Sequence, residues 1–368
     1  MDGLRFDKIE QCNSLKIFKE KSIFFKNMIT VSPYTLTSMH AIFSGMYPSR
    51  NGVNAYYNMF KFKKEQITTI PQFLKLQNYY TCCDIISKVI IPEQGFDERN
   101  IFDEKTVDFK KRHTSLIKKL SEQKKFFLYL QYTEPHKHLV DAVIQKYKQE
   151  TTDDDYFQKI EENERRYNSY LPACDEYISA ILQTIDECNL TEKTVIILHS
   201  DHGTSIGEKK GEKFYGVFVY DYTIKTFCML KIPGEQPREI NKQCRTIDLF
   251  PTITEMVGFS IEQLSQNIQG DSLFSLIENP LEKEREVFVE TGGLYGPWPS
   301  PKKPNVFCIK LFDKKLIYND TPQTWEFYDL KKDSDELNNI YDENSNEIKQ
   351  LKDRLTYYLN ANEISTNL

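Results

Sequence analysis

Short apolar runs alternate with longer helix-forming stretches through most of the chain. Four runs have the length and composition of buried strands, and they cover residues 79–87, 126–132, 194–199 and 227–232. Periodic amphipathic stretches predict helices at 36–46, 69–78, 105–123, 163–187 and 247–257. The alternation predicts an α/β fold in which helices cover both faces of a mostly parallel mixed sheet.

The pattern changes after about residue 285. Four apolar segments then follow one another with only short turns between them: VFVET, VFCIKLF, KKLIYND and TWEFYDL. This spacing predicts a small antiparallel sheet, and an amphipathic stretch at 343–360 predicts a helix that closes it. We therefore expect a large α/β domain over 1–285 and a smaller unit over 286–368, packed on the same core.

Charge and cysteine content narrow the class of protein. The chain of 368 residues has a formal net charge of −6 and no strongly basic stretch, which argues against nucleic acid as a partner. No apolar run approaches the ~20 residues of a membrane-spanning helix, and no signal-peptide pattern is visible. The eight cysteines form no CxxC pair, so we expect reduced thiols and a cytoplasmic location.

Polar side chains collect at three predicted strand ends. Thr35 follows an apolar run that ends at Val31, His136 follows the strand FFLYLQY, and Asp201-His202 follows TVIILH. In open parallel sheets, functional groups gather at the carboxyl ends of the strands. The coincidence makes all three places candidates for one site.

Asp201 and His202 present a carboxylate and an imidazole, which suit a borderline cation such as Zn²⁺ or Mn²⁺. A capping Asp beside a surface His is the bland alternative, and the dipeptide alone favours it. Thr35 precedes a helical pattern, so its hydroxyl is either a helix cap or a nucleophile activated by a bound cation. His136 is either an exposed loop residue or a group that protonates a leaving group.

Several longer segments occur in the order found in a known family. They are DGLRFD at the start, TLTSMHAIFSGMYPSRNGV, YTEPH, HSDHGTSIGEK, TIDLFPTITEMVG and EFYDLKKDSDELNNI. Together they resemble the sulfatase family of the alkaline-phosphatase superfamily, and the match is collinear over most of the chain. The resemblance implies an alkaline-phosphatase-like fold, with a mostly parallel mixed sheet sandwiched by helices and a small C-terminal antiparallel sheet.

The resemblance also implies a site. One divalent metal ion (Mn, Zn, Ca or Mg, with Mn or Zn favoured) would be held by Asp2, Asp201 and His202, with Thr35 reaching the same ion. Thr35 would attack phosphorus or sulfur and form a covalent ester, and His136 would contact the leaving group. Lys213 (or Lys209) would balance charge on the transferred group, and Ser38 would approach it.

The departures from the family pattern are informative. Sulfatases carry Cys or Ser in a C-x-P-x-R motif that is modified to formylglycine, whereas this chain has Thr35 and, in place of the arginine, Met39. The formylglycine route is therefore excluded, and a Thr nucleophile resembles the phosphodiesterase and the phosphoethanolamine- and phosphoglycerol-transferase branches. The family also places a hydrophobic strand before its first Asp, so the resemblance implies that this central strand is missing here.

Two functions follow as expectations. The first is a metal-dependent hydrolase or transferase of phosphoric, less readily sulfuric, esters, acting on a small-molecule, glycan-linked or lipid-linked anionic substrate. The alternative is a catalytically degenerate sulfatase-like binding or scaffold protein. Chelator-sensitive activity separates them. Aromatic side chains in loops 54–66, 139–165 and 291–304, including Tyr56, Tyr57, Tyr295 and Trp298, are candidates for stacking on a substrate ring.

Overall fold

The computed structural model describes residues 1–136, 153–260, 263, 267–279, 281–293, 297–298 and 302–367. The strands in these ranges are Ile23–Ile29 (β1), Tyr80–Ile85 (β2), Glu98–Ile101 (β3), Phe126–Leu130 (β4), Ile196–His199 (β5), Lys225–Lys231 (β6), Arg238–Ile240 (β7), Cys244–Arg245 (β8), Val287–Thr291 (β9), Val306–Lys310 (β10), Lys314–Asn319 (β11) and Thr324–Asp329 (β12).

The α-helices are Asn13–Glu20 (α1), Thr35–Ser44 (α2), Pro48–Asn51 (α3), Ile70–Leu76 (α4), Phe109–Leu120 (α5), Asp153–Gln158 (α6), Ile160–Asn168 (α7), Leu171–Glu187 (α8), Asp221–Ile224 (α9), Leu249–Met256 (α10), Phe274–Glu278 (α11) and Asn346–Ala361 (α12). Short 3₁₀ segments cover Phe6–Gln11, Tyr56–Asn58, Glu134–His136 and Thr246–Asp248. No helix among the described residues is long and apolar enough to cross a membrane.

The predicted α/β fold is confirmed, with one difference in the helices. The stretch predicted as a single helix at 163–187 forms α7 and α8. The helix ends at Asn168 because Pro172, in the first turn of α8, lacks the N–H that a continuous helix would use at that position. The sequence analysis did not assign β1 as a strand, although the apolar run that contains it had been noted.

Three hydrogen-bonded sheets make up the β structure. One has the order β5-β6-β1-β7, with β8 also paired to β1, and it mixes antiparallel and parallel pairs. A second has the order β3-β2-β4 and is parallel. The third, β12-β11-β10-β9, is the predicted C-terminal antiparallel sheet. The strands of the α/β region thus lie in the first two of these sheets, which are hydrogen-bonded separately.

The first two residues of the chain bridge these two sheets. The Met1 amino group donates to the carbonyl of His199 at 3.0 Å, and the Asp2 N–H donates to the carbonyl of Tyr132 at 2.9 Å. Met1 and Asp2 thus lie between the carboxyl ends of β4 and β5, and the expectation of a missing first strand stays a prediction.

The C-terminal sheet packs on the large domain. Strand β9 is hydrogen-bonded to it by the Glu290 N–H, which donates to the Val31 carbonyl at 3.1 Å, and by the Phe288 N–H, which donates to the Tyr47 hydroxyl at 3.4 Å. Buried apolar side chains of β9, β10, β11 and α12 form one cluster with side chains of β1 and α2. The division of the chain at residue 285 into two units on one core stays a prediction. All eight cysteines are free thiols.

Candidate active site

Four segments bring polar side chains to one place beside the bridge formed by Met1 and Asp2. Asp2 is 4% exposed, Asp201 3% and His202 0%, and the three could hold a metal ion, with one ligand atom from each lying within 4.8 Å of the others. Thr35, at the first position of α2, is 7% exposed. His136 ends the 3₁₀ segment that follows β4. The structure thus joins residues that are up to 200 positions apart in sequence.

Main-chain contacts fix the two residues that follow β5. The Asp201 Oδ1 atom accepts hydrogen bonds from the Gly3 N–H at 3.1 Å and from the His202 N–H at 3.0 Å. The His202 Nδ1 atom lies 2.7 Å from the Gly203 carbonyl. Since only Nδ1–H can make that bond, the neutral ring presents the lone pair of Nε2. Nε2 faces Thr35 Oγ1 at 3.0 Å.

The Thr35 hydroxyl belongs to this cluster and does not cap α2. Its Oγ1 donates to Asp2 Oδ1 at 3.1 Å and lies next to His202. Tyr34, in an extended conformation, is the N-cap residue, and no side-chain cap hydrogen bond forms there. The capping alternative for Thr35 is therefore wrong, because the hydroxyl points away from the helix amides toward the carboxylates.

The charge of the cluster is unbalanced. Burial raises the pKa of Asp201, and the neighbouring Asp2 carboxylate adds to that effect although His202 opposes it. Asp201 Oδ2 is buried and has no hydrogen-bond partner. Two adjacent buried carboxylates, one with an unsatisfied oxygen, are costly unless a cation pairs with them. Two carboxylates, one imidazole and one hydroxyl form a donor set that fits a divalent metal ion.

Two residues that the sequence analysis did not assign to this role hold the cluster in place. The Gln131 side chain donates to Asp2 Oδ2 at 2.8 Å and accepts from the Ile86 N–H at 3.0 Å, so it fixes the orientation of the Asp2 carboxylate. Ser38 Oγ donates to the Asp201 carbonyl at 2.9 Å and contacts Thr30 Oγ1. Ser38 was expected to approach the substrate, but its hydroxyl is buried in these contacts and supports the Asp201 turn.

His136 is held from both sides. Its Nδ1 lies 2.9 Å from Glu104 Oε1, and its Nε2 lies 2.6 Å from the Tyr215 hydroxyl. The Tyr215 ring packs against the His202 ring with centroids 4.4 Å apart. Tyr215 therefore lies between His136 and the candidate metal cluster and contacts both. Glu104 lies in the loop between β3 and α5 without a recognisable motif, so local sequence could not have identified it.

The two candidate lysines differ in their surroundings. Lys213 is half-buried in the loop after His202, and its backbone carbonyl accepts a hydrogen bond from the Tyr156 hydroxyl. Its role stays a prediction. Lys209 Nζ bonds the carbonyl of Glu336 and lies over the ring of Tyr220 at 4.6 Å, so it is held by the smaller C-terminal unit.

Aromatic side chains lie beside the site. Tyr34 and Tyr56 are stacked with centroids 4.7 Å apart, and both belong to a small apolar cluster that includes Tyr215. Tyr57 is 56% exposed on the same segment as Tyr56. Trp298 packs against Phe218, whereas Tyr295 and residues 139–152 lie outside the described residues. Tyr57 is thus the candidate available to stack on a substrate ring.

Comparison with known families gives two matches. The sequence model of the family "Sulfatase" matches residues 4–259, which is most of the chain. A second model, "N-sulphoglucosamine sulphohydrolase, C-terminal", matches residues 211–363. The two matches together span the large α/β domain and the C-terminal sheet.

Curated relatives are sulfatases that the chain matches in part. An ulvan-active sulfatase of Formosa agariphila is 30% identical over 127 residues, covering 33% of this chain and 24% of that protein. An N-acetylglucosamine-6-O-sulfatase of Bacteroides thetaiotaomicron is 28% identical over 193 residues, covering 50% and 33%. The matched stretches thus span a third or less of these two relatives.

Solved structures share the fold over nearly the whole chain. The structure of BT4656 with its substrate D-glucosamine-2-N,6-O-disulfate has a TM-score of 0.76 at 17% identity and covers 98% of this chain and 96% of the other. A phosphonate monoester hydrolase of Silicibacter pomeroyi has a TM-score of 0.73 at 15% identity, with coverages of 98% and 94%. At these identities the likeness shows the fold alone, and the fold serves both sulfur and phosphorus chemistry.

Proposed function

The chain belongs to the sulfatase family, and we propose that it is a metal-dependent hydrolase in which Thr35 attacks a phosphoric ester. One observation carries the proposal: the Thr35 hydroxyl lies 3.1 Å from Asp2 Oδ1 and 3.0 Å from His202 Nε2, inside the candidate metal cluster. A hydroxyl is a weak nucleophile at neutral pH unless a base or a cation activates it. Asp2 and His202 lie beside Thr35 as candidate bases, and the cluster they form with Asp201 could hold the cation.

The roles of the other residues follow from their positions. Asp2, Asp201, His202 and Thr35 would hold the divalent ion, which supplies a Lewis acid that activates the hydroxyl and neutralises the substrate's negative charge. Thr35 Oγ1 forms the new bond to phosphorus while the ester oxygen leaves, and His136 gives that oxygen a proton. Water then cleaves the ester on Thr35. The first N–H groups of α2 favour an anion at this end of the helix, and Lys213 adds positive charge.

Sulfate esters form the second candidate substrate class, and the named relatives favour it. Two relatives are named as an ulvan-active sulfatase and an N-acetylglucosamine-6-O-sulfatase. The exposed ring of Tyr57 suits a glycan-linked or small anionic ester. Thr35 favours a phosphorus ester, because the motif that is modified to formylglycine in sulfatases is absent and a Thr nucleophile resembles the phosphodiesterase and transferase branches. Transfer to an alcohol in place of water is a variant of the same chemistry.

The test is a substrate panel with matched aryl groups. Phosphodiester, phosphomonoester, phosphonate and sulfate esters are compared with and without Mn²⁺ or Zn²⁺, using wild type, Thr35→Ala and Thr35→Ser. We expect metal-dependent turnover of a phosphorus ester that falls at least about 10³-fold in Thr35→Ala, which is about 4 kcal/mol of transition-state stabilisation. Thr35→Ser keeps the hydroxyl and is expected to retain much of the activity.

The outcomes separate the alternatives. Preference for the sulfate ester, still dependent on Thr35, would replace the phosphoric assignment with the sulfuric one. Turnover that survives Thr35→Ala would contradict the nucleophile. No turnover of any substrate and no metal binding would favour the degenerate binding protein.

A further inference from the structure

We propose that Glu104 and Tyr215 are positioning residues that hold the His136 ring through its two nitrogen atoms and so aim Nε2–H at the leaving group. The proposal rests on the proposed function and extends it to two residues to which the sequence analysis assigned no role. Glu104 Oε1 is 2.9 Å from Nδ1, and the Tyr215 hydroxyl is 2.6 Å from Nε2. A ring with a partner at each nitrogen has one defined orientation and a defined proton arrangement.

Glu104 is shielded enough for this contact to matter. Its side chain is 15% exposed and that of His136 is 17% exposed, so water competes weakly with the ion pair. The His136 N–H also donates to the Thr133 carbonyl at 2.8 Å, which fixes the turn that carries the ring. An ion pair screened from solvent is stronger than one at the surface.

The charges around His136 favour the protonated ring. Burial works against the charged form, but the hydrogen bond to Glu104 and the carboxylates of Asp2 and Asp201 outweigh it and raise the pKa of His136. Among the described residues Tyr215 also faces the ring, and its hydroxyl stays neutral because burial raises the pKa of Tyr215 well above its usual value. With Nδ1–H bonded to Glu104, the second proton of the imidazolium lies on Nε2 and bonds Tyr215 Oη.

Tyr215 places that proton next to the reacting centre. Its ring contacts His202, and Nε2 of His202 is 3.0 Å from Thr35 Oγ1. During transfer Thr35 Oγ1 gives its proton to Asp2 Oδ1, which accepts its hydrogen bond in the structure, while the bond from Oγ1 to phosphorus forms and the bond from phosphorus to the ester oxygen breaks. That oxygen replaces Tyr215 Oη as the acceptor of the His136 Nε2 proton and takes it. The neutral His136 then takes a proton from the water that cleaves the Thr35 ester, and Asp2 returns its proton to Thr35 Oγ1.

The first test measures His136 directly and needs no turnover. The histidine ring signals of metal-free wild type, Glu104→Gln and Glu98→Gln are followed by NMR against pH, and His136→Asn identifies the signal. Glu98 is a matched control, since its carboxylate pairs with Lys119 at the surface of β3. We expect the pKa of His136 to fall by about one unit in Glu104→Gln and to stay unchanged in Glu98→Gln. An unchanged pKa in Glu104→Gln would overturn the proposal.

The second test uses a series of leaving groups on the substrate class that wild type prefers. A poor leaving group needs the proton and an activated phenol does not. We expect Glu104→Gln and Tyr215→Phe to lose about 10- to 100-fold in kcat with the poor leaving group and only about threefold with the activated phenol. Equal losses with both would overturn the proposal, because a merely structural role affects every substrate alike.

The NMR titration can be decided whether or not the proposed function holds, because it needs no turnover. Wild type that turns over no substrate would refute the enzyme assignment, while the NMR titration would still decide whether Glu104 controls His136. Active wild type with an unshifted His136 would refute only the positioning roles.

Discussion

Two buried clusters of charge in this protein are built differently. At the active site, Asp2 and Asp201 face His202 and Thr35, and among the described residues neither carboxylate forms an ion pair with a lysine or arginine side chain. At the junction of the C-terminal sheet, Asp221 and Glu336 meet Lys315 at 2.5 Å and 2.7 Å, and Lys310 also contacts Asp221. The second cluster is balanced by lysines of the chain itself, whereas the first has a donor set that could hold a metal ion.

The pKa shifts follow this difference. Burial opposes ionisation of Asp221, but Lys310 and Lys315 outweigh it and hold its pKa well below the usual range. The pKa of Asp201 is raised instead, mainly by burial. Glu290 is a third case, since it accepts hydrogen bonds from Ser49 but has no cation, and burial raises its pKa to about 7. The three carboxylates thus differ: Asp221 is paired with lysines, Asp201 lies in the candidate metal cluster, and burial favours the protonated form of Glu290.

Removing a lysine from the balanced cluster should have the largest effect. Lys315 is fully buried, so Lys315→Met leaves Asp221 and Glu336 without their main partner. We expect a loss of about 3–5 kcal/mol in the free energy of unfolding, measured with urea. Lys332→Met is the control, because Lys332 is 82% exposed and its pair with Asp329 should contribute less than about 1 kcal/mol. Similar losses in both variants would contradict a special contribution of the buried Lys315 to stability.

The same Asp→Asn change should act differently in the two clusters. Asp221→Asn removes a partner of two lysines and is expected to destabilise the protein with or without metal. Asp201→Asn keeps the Oδ1 acceptor but removes charge, so metal-free stability should hold or rise. Wild type should gain about 3 kcal/mol at an ion concentration near 100 Kd, and Asp201→Asn should lose that gain. A metal-induced rise in Tm that persists in Asp201→Asn would contradict the assigned ligand.

Glu290 should make stability depend on pH near neutrality. Its folded-state pKa of about 7 lies above the ordinary value of 4.5, so the folded protein holds this proton more tightly than the unfolded chain. The stabilisation is complete below about pH 4.5 and is lost as the pH rises through about 7, by about 3 kcal/mol in total. We expect Glu290→Gln to reduce the slope in urea unfolding series from pH 5 to 8, and Glu212, whose pKa burial also raises to about 7, keeps the rest. A slope unchanged in Glu290→Gln would contradict the assignment.

The smallest effect is expected at Ser38. Ser38→Ala removes the bond to the Asp201 carbonyl and should cost about 1 kcal/mol of stability. Because that bond supports the Asp201 turn, metal affinity should also weaken, by less than about tenfold. Ser115→Ala removes an exposed hydroxyl on α5 that bonds only its own helix backbone, and it should change neither property. Unchanged metal affinity in Ser38→Ala would show that the Asp201 turn keeps its geometry without the Ser38 hydrogen bond.

Much of the site was readable from sequence because its residues sit at strand ends with recognisable neighbours. The run TVIILH before Asp201-His202 and the run FFLYLQY before His136 mark their places in an α/β fold. Gln131 lies at the end of the same strand as His136, yet nothing local distinguishes a Gln that orients Asp2 from one that is solvated. Ser38 was misread for the same reason, since a hydroxyl one turn into a helix can face either the substrate or the core.

The amino-acid order by itself determined the α/β class, the C-terminal antiparallel sheet and the positions of Thr35, Asp201 and His202. These depend on local periodicity and on short motifs, which a sequence carries directly. The tertiary structure decided which charges meet: Lys315 reaches Asp221 across 94 positions and Glu104 reaches His136 across 32. Electrostatic energy depends on distance and burial, both set by packing between elements. Whether a buried carboxylate is paired, protonated or ready for a cation is therefore settled only when the chain has folded.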